Sequence, residues 1–410
     1  MITEKCVAIF GLIFINSLMA KYLGPEIFGK IAFATSIFVF IQILSQFGSG
    51  SVLLKRMSSN PLSGLKLADA SQYLRRRILY ISSCVILVYL YFFTDQITFY
   101  FSLANFICSY FIIIDYFTLY NNSQLQSKIN ALSNIIGLLL ALIIRYILVK
   151  NNCSAIYFTI PVIIFAFIPY FLRKKIFKKN NKLPIISKIN KIKYTKYMVN
   201  TGGGLVIAAL SVAIYTQISN IFLAKLVSFK ELGIFNAAMS IGVSWNFILN
   251  AIGSSYFSKI YALKEQKLII YHFKILTLLS LGIGLSVLIF YIYSGSFIIN
   301  LLFGVDFISA IEILPIIAIG ATFSALGTNH YRLLVKYNGY SYLTKKMFIA
   351  SLISIPLSYF MIIKYKILGA AFSFLIIETL SLTVLNYFFK KGIILDIHLS
   401  LLKLRKGKSN

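Results

Sequence analysis

The chain is 410 residues long, 59% hydrophobic and only 12% charged, with a mean hydropathy of +0.84. Soluble globular domains carry roughly 25% charged residues, so this composition excludes a water-exposed surface and points to a polytopic membrane protein. The net charge of +29 would suggest nucleic acid in a soluble protein. Here it reads as basic loops beside anionic headgroups, with membrane lipids as partners and no nucleic acid.

A spanning helix needs about 20 apolar residues. About twelve candidate spans follow in order: 6–20, 31–54, 78–94, 97–119, 131–149, 154–172, 201–224, 233–252, 273–294, 311–331, 347–363 and 367–389. Pro161, Pro169, Pro315 and Pro356 fall in or near spans, where neighbouring helices can satisfy the freed carbonyls. The first apolar run lacks a small-residue cleavage pattern, so no cleavable signal is expected. Cys6, Cys84, Cys108 and Cys153 are scattered without metal-like spacing, and His272, His330 and His398 form no cluster in sequence. No metal and no cofactor is expected.

Between spans six and seven lies RKKIFKKNNKLPIISKINKIKYTK (173–196), with ten Lys or Arg and no acid. Such a run between spans reads as a cytoplasmic loop. With the N-terminus inside, 31 of the 40 basic residues fall in cytoplasmic segments and seven outside. Both termini are therefore expected in the cytoplasm. The expected organisation is a six-helix lobe over 1–172, a basic linker over 173–198, a second six-helix lobe over 199–389 and a basic tail over 390–410. Gly29 to Ile37 and Gly233 to Ile241 repeat Gly, small residues and Ser at matching spacing half a chain apart. Six plus six helices in one orientation imply an all-α membrane fold of two lobes. A pseudo-two-fold along the membrane normal would relate them around a central cavity.

KYLGPEIFGK (21–30) resembles the opening signature of the polysaccharide-biosynthesis flippases, the O-antigen transporters of the multidrug/oligosaccharidyl-lipid/polysaccharide exporter superfamily. Asp115-Tyr116-Phe117 with Asn121 to Lys128, then 231–245, 299–320 and 368–371, are similar to further stretches of that family in order along nearly the whole chain. The resemblance implies a non-enzymatic inner-membrane flippase. Its cargo would be an undecaprenyl-diphosphate-linked oligosaccharide, moved from the cytoplasmic to the periplasmic leaflet. The O-antigen polymerase and chain-length regulator are candidate partners. A drug or organic-cation antiporter of the same superfamily is the alternative. Where the family often carries an acid near 215–220, this chain has Ser219 and Asn220, which puts a coupling role there in doubt.

No Ser/His/Asp set and no nucleotide-binding loop is present. Gly202 to Gly204 read as a close-packing or hinge element. Ionisable groups inside a membrane are functional candidates because each is costly there. Glu378, near the middle of the last span, is the candidate for ion coupling, with Asp115 second. Paired amides suggest a wet cavity that meets sugar hydroxyls: Gln42 and Gln46, Gln217 and Asn220, Asn246 and Asn250. Lys21, Arg145 and Lys225 on the outer side, and Lys55, Arg56 and Arg332 on the inner, are the candidate cations for a diphosphate, since charge-assisted donors suit it.

Overall fold

The computed structural model describes residues 2–180 and 187–402. They form fifteen α-helices: α1 Ile2–Gln46, α2 Ser49–Ser59, α3 Pro61–Phe93, α4 Gln96–Ile114, α5 Phe117–Ser123, α6 Ser127–Lys150, α7 Thr159–Asn180, α8 Lys188–Phe222, α9 Phe229–Gly242, α10 Asn246–Ala262, α11 Gln266–Leu302, α12 Ala310–Lys336, α13 Tyr340–Leu382, α14 Val384–Tyr387 and α15 Ile393–Leu402. Among the described residues nine helices are long and apolar enough to cross a membrane, ten when the bent α9/α10 pair counts as one span. Two of these, α1 and α13, are each folded at one non-helical residue, which accounts for the twelve apolar stretches of the sequence.

The first fold sits in the KYLGPE stretch. Gly24 adopts φ 78, ψ 167, a conformation that costs glycine little, and Pro25 opens the next limb with its preset φ. The two limbs pack on different neighbours: Gly11 lies against Leu138 of α6, while Phe38 and Ile41 join Leu79 and Ile113 of α3 and α4. In α13 the break is Lys366 at φ 50. The limbs close tightly enough that a methyl on Gly369 would strike the Met361 carbonyl. Beyond the second limb, α14 returns to the start of the first, where Tyr342 Oη donates to the Leu385 carbonyl at 2.6 Å.

Capping residues set several starts. Asn60 accepts from the Ser63 amide ahead of Pro61, Asp95 accepts from Ile97 and Thr98, and Ser228 accepts from Glu231. Three expected boundaries shift. Span two ends early, because Phe47 and Gly48 both take positive φ and the chain restarts as α2. Span eight is bent by 40° between α9 and α10. The expected basic loop is helix on both sides, in α7 to Asn180 and in α8 from Lys188. Residues 181–186 of that loop and 403–410 of the tail lie outside the described residues.

The chain divides into two compact units, 1–213 and 214–410, with the division inside α8. In unit 1, Leu53, Met57, Leu65, Leu67, Tyr116, Phe117, Phe177 and Met198 pack the end where α2, α3, α5, α7 and the start of α8 gather. At the opposite end, Lys30 pairs with Glu26 at 3.0 Å and Asp95 at 3.4 Å, and Tyr22 Oη donates to the Cys153 carbonyl at 3.0 Å. In unit 2, Phe257, Phe273, Leu276, Leu333 and Leu334 pack with Phe389, Ile394 and Ile397, so α15 is docked by its apolar face.

Candidate functional site

In unit 1 the buried polar groups are mostly satisfied by one another. Asp115, at the C-cap of α4, accepts from Arg173 Nε at 2.9 Å and from the Thr118 amide and hydroxyl, and both ion-pair side chains are only 7% exposed. Arg173 also donates from Nη1 to Asn134 at 2.8 Å. Beside it, Asn121 donates to Asn130, which in turn donates to the Thr118 carbonyl and to Asn122. The buried Arg75 guanidinium caps carbonyls of Ile113 and Ala68. The turn joining α4 to α5 is thus held by charge as well as by packing. Sequence reading missed Arg173 as the partner of Asp115, because 58 residues separate them.

The other candidates of unit 1 differ. Gln42 and Gln46 are half-buried, one turn apart on α1, and make no hydrogen bond to each other. Arg145 is buried on α6, and its Nε has no hydrogen-bond partner. Lys21, Lys55 and Arg56 are exposed. Of these, Arg56 lines a pocket with Lys66 and Lys193, two cations not singled out from the sequence.

In unit 2 the structure joins Gln217 and Asn220, with Asn220 Nδ2 donating to Gln217 at 3.0 Å and Asn236 donating to Asn220 at 3.3 Å. Next to them the Ser219 and Ser358 hydroxyls lie 3.2 Å apart. Asn246 is buried with its Oδ1 unsatisfied, at the bend into α10, and Asn250 is half-buried one turn on. Arg332 donates to Asn329 at 3.1 Å and lies 6.0 Å from the Phe257 ring centre. Lys225 is exposed, on a π-turn that ends α8.

Glu378 is 6% exposed, with Ser324, Lys346 and Tyr215 within electrostatic reach. Lys346, 3% exposed, donates instead to Asn386 at 2.9 Å. No ion pair among the described residues includes Glu378.

The histidines, scattered in sequence, are partly gathered in space. His330 and His398 face each other through Nε2 at 2.9 Å, while His330 Nδ1 lies 2.8 Å from the Leu326 carbonyl and His398 Nδ1 lies 3.0 Å from Tyr387 Oη. A carbonyl only accepts, so His330 carries its proton on Nδ1 and its Nε2 accepts from His398. Tyr387 then donates to His398 Nδ1, and α15 is tied to α12 and α14 by a fully ordered series. Burial favours the neutral form of His398 and holds its pKa below the ordinary value. Among the described residues no group of three His, Cys, Asp or Glu could hold a metal ion.

Residues 3–261 match the family described as polysaccharide biosynthesis protein. No curated protein sequence matches the chain. Among solved structures, the lipid II flippase MurJ in an inward closed conformation superposes with a TM-score of 0.72 at 17% identity, covering 100% of this chain and 92% of that one. An inward-facing multidrug resistance MATE transporter of the MOP superfamily gives 0.71 at 11% identity, covering 99% and 96%. A MOP superfamily transporter from Pyrococcus furiosus, whose binding pocket is described as reversed in polarity, gives 0.53 at 12% identity over 99% and 95%. At these identities the likeness is one of fold.

Proposed function

Because the chain belongs to the polysaccharide biosynthesis protein family, we propose that it is a flippase for lipid-linked oligosaccharide. It carries an undecaprenyl-diphosphate-linked O-antigen repeat unit from the cytoplasmic to the periplasmic leaflet of the bacterial inner membrane, by alternating access, with both termini in the cytoplasm. Such a headgroup is too polar to cross hydrocarbon unaided.

The observation that carries this reading over a drug or organic-cation antiporter is what becomes of the buried acids. A cation carrier needs carboxylates free to hold its cargo. Asp115 is taken up by Arg173, which leaves Glu378 as a single deeply buried acid outside any ion pair among the described residues, too few to hold a cationic cargo. The cations are less committed: Arg145 is buried with an unsatisfied Nε, and Arg56 shares a pocket with two lysines. This balance favours an anionic headgroup. Asp115 is then part of the scaffold, and Glu378 keeps the coupling role.

The test is deletion of the gene. Lipid-linked repeat units should accumulate on the cytoplasmic face and surface glycan should be lost. Drug sensitivity with normal surface glycan would overturn the reading in favour of the antiporter.

A further inference from the structure

The second half of the basic run 173–196, a loop by its sequence, builds one wall of a pocket. Arg56 at the end of α2, Lys66 at the start of α3, and Asn190, Lys193, Tyr194 and Tyr197 at the start of α8 line a cavity of about 340 Å³. That is within the roughly 300–1,000 Å³ range of small-ligand sites.

No acid lines it. Asp69, on the adjoining turn of α3, is occupied by Lys191 at 3.2 Å. Three cations facing one cavity repel one another, and the repulsion is relieved only by solvent or by a bound anion. Arg56 is already aimed: its Nε donates to Ser63 at 2.9 Å and its guanidinium lies 6.0 Å from the Tyr197 ring centre. Its remaining N–H groups and the two ammonium groups supply the charge-assisted donors that a phosphate takes.

The walls are fixed before any ligand arrives. The Thr195 hydroxyl lies 2.9 Å from the Lys191 carbonyl and 3.1 Å from the Ala70 carbonyl, bringing α8 against α3, and Met198 is buried in the core with Leu67 and Met57. One turn further, Gly202 lies so close to the Phe47 carbonyl that a Cβ there would clash. The two tyrosines add ring faces and hydroxyls beside the cations, a surface suited to a sugar attached to the phosphate.

We propose that this pocket is a recognition site for the phosphate groups of a lipid held at the membrane surface. On the flippase reading above, on which this assignment of the lipid rests, it receives the diphosphate of the cargo before translocation. The same chemistry could come from a bilayer phospholipid headgroup.

The test uses the full chain in phosphatidylcholine nanodiscs, titrated with farnesyl diphosphate. A Lys66→Ala/Lys193→Ala double variant should weaken binding about tenfold or more, and the corresponding Lys→Arg pair should retain most of it. Lys345→Ala, a lysine removed from unit 2, serves as the control and should bind as the wild type does. Competition by phosphatidylglycerol nanodiscs would assign the site to bilayer lipid. Binding insensitive to phosphatidylglycerol would assign it to the diphosphate carrier. Equal affinity in wild type and double variant overturns the site. Because binding is read apart from transport, lost binding with intact glycan assembly in the deletion strain would keep the pocket and discard the flippase. Unchanged binding with lost assembly would do the reverse.

Discussion

Asp115 in unit 1 and Glu378 in unit 2 are both buried close to a cation, and the two are handled in opposite ways. In unit 1, Asp115 is closed off by a direct ion pair with Arg173 and by Thr118, at a joint between two helices. In unit 2, Glu378 makes no ion pair among the described residues, and its neighbouring cation Lys346 is bonded to Asn386. The first arrangement has no spare valence and behaves as a rivet. The second leaves the acid able to change partners, which is what a coupling group requires. Burial alone therefore does not decide how a carboxylate is held; the commitment of its counter-ion does.

The strongest way to break this contrast is Asp115→Ala. It strands the Arg173 guanidinium in the core of unit 1 and should cost about 3–5 kcal/mol. Thermal unfolding of the purified chain in detergent reads it. A variant as stable as the parent would mean the pair is no rivet. Replacing both partners together, Asp115→Leu with Arg173→Met, should recover much of the loss. Lys346→Met comes next: it leaves the Asn386 carbonyl oxygen without its donor in a buried place, worth about 1–3 kcal/mol. Glu378→Gln keeps shape and removes only the charge, so stability should move by less than about 1 kcal/mol. Its effect should appear instead as loss of the dependence of glycan assembly on external pH. Retention of that dependence would remove Glu378 from the coupling role.

The smallest effects separate the units by pH, through groups outside the spans. Burial works against the charge on Asp95, but the Thr98 hydroxyl and amide and Lys30 outweigh it and hold its carboxyl below the ordinary value. The α4 cap is thus stable above the unfolded pKa of about 4 and is lost only as pH falls through the lower folded value. His398 is favoured neutral, so the unfolded tail takes up the proton first and docking of α15 weakens as pH falls below about 6.5. Between about pH 4 and 6, hydrogen exchange should rise in α15 while the amides of Ile97 and Thr98 stay protected. Uniform loosening of both would contradict the assignment.

The spans and the excess of basic residues were legible in sequence, because hydrophobicity and charge are local properties. The break between the first two spans at KYLGPE was legible too, since the first apolar run stops there. What escaped were relations across helices. Nothing along the chain couples Asp115 to Arg173, or His330 to His398, because each pairing is made by packing over 58 or 68 residues. The pocket lysines escaped for another reason: within a run of ten basic residues, Lys193 looks like any other solvated charge. Only the clamp of α8 against α3 distinguishes it. The three glycines at 202–204 also proved unequal, since Gly202 meets the Phe47 carbonyl while Gly203 and Gly204 face open space.

The boundary between the units falls within a helix rather than in a loop. A hydrogen-bonded α-helix resists bending, and a sharp kink in one needs a local cause such as glycine. A side chain at Gly203 or Gly204 would meet nothing within 4 Å, whereas one at Gly202 would run into the Phe47 carbonyl. Methyl groups added at 203 and 204 should therefore be accommodated and stiffen α8, while one added at 202 should force its start away from Phe47.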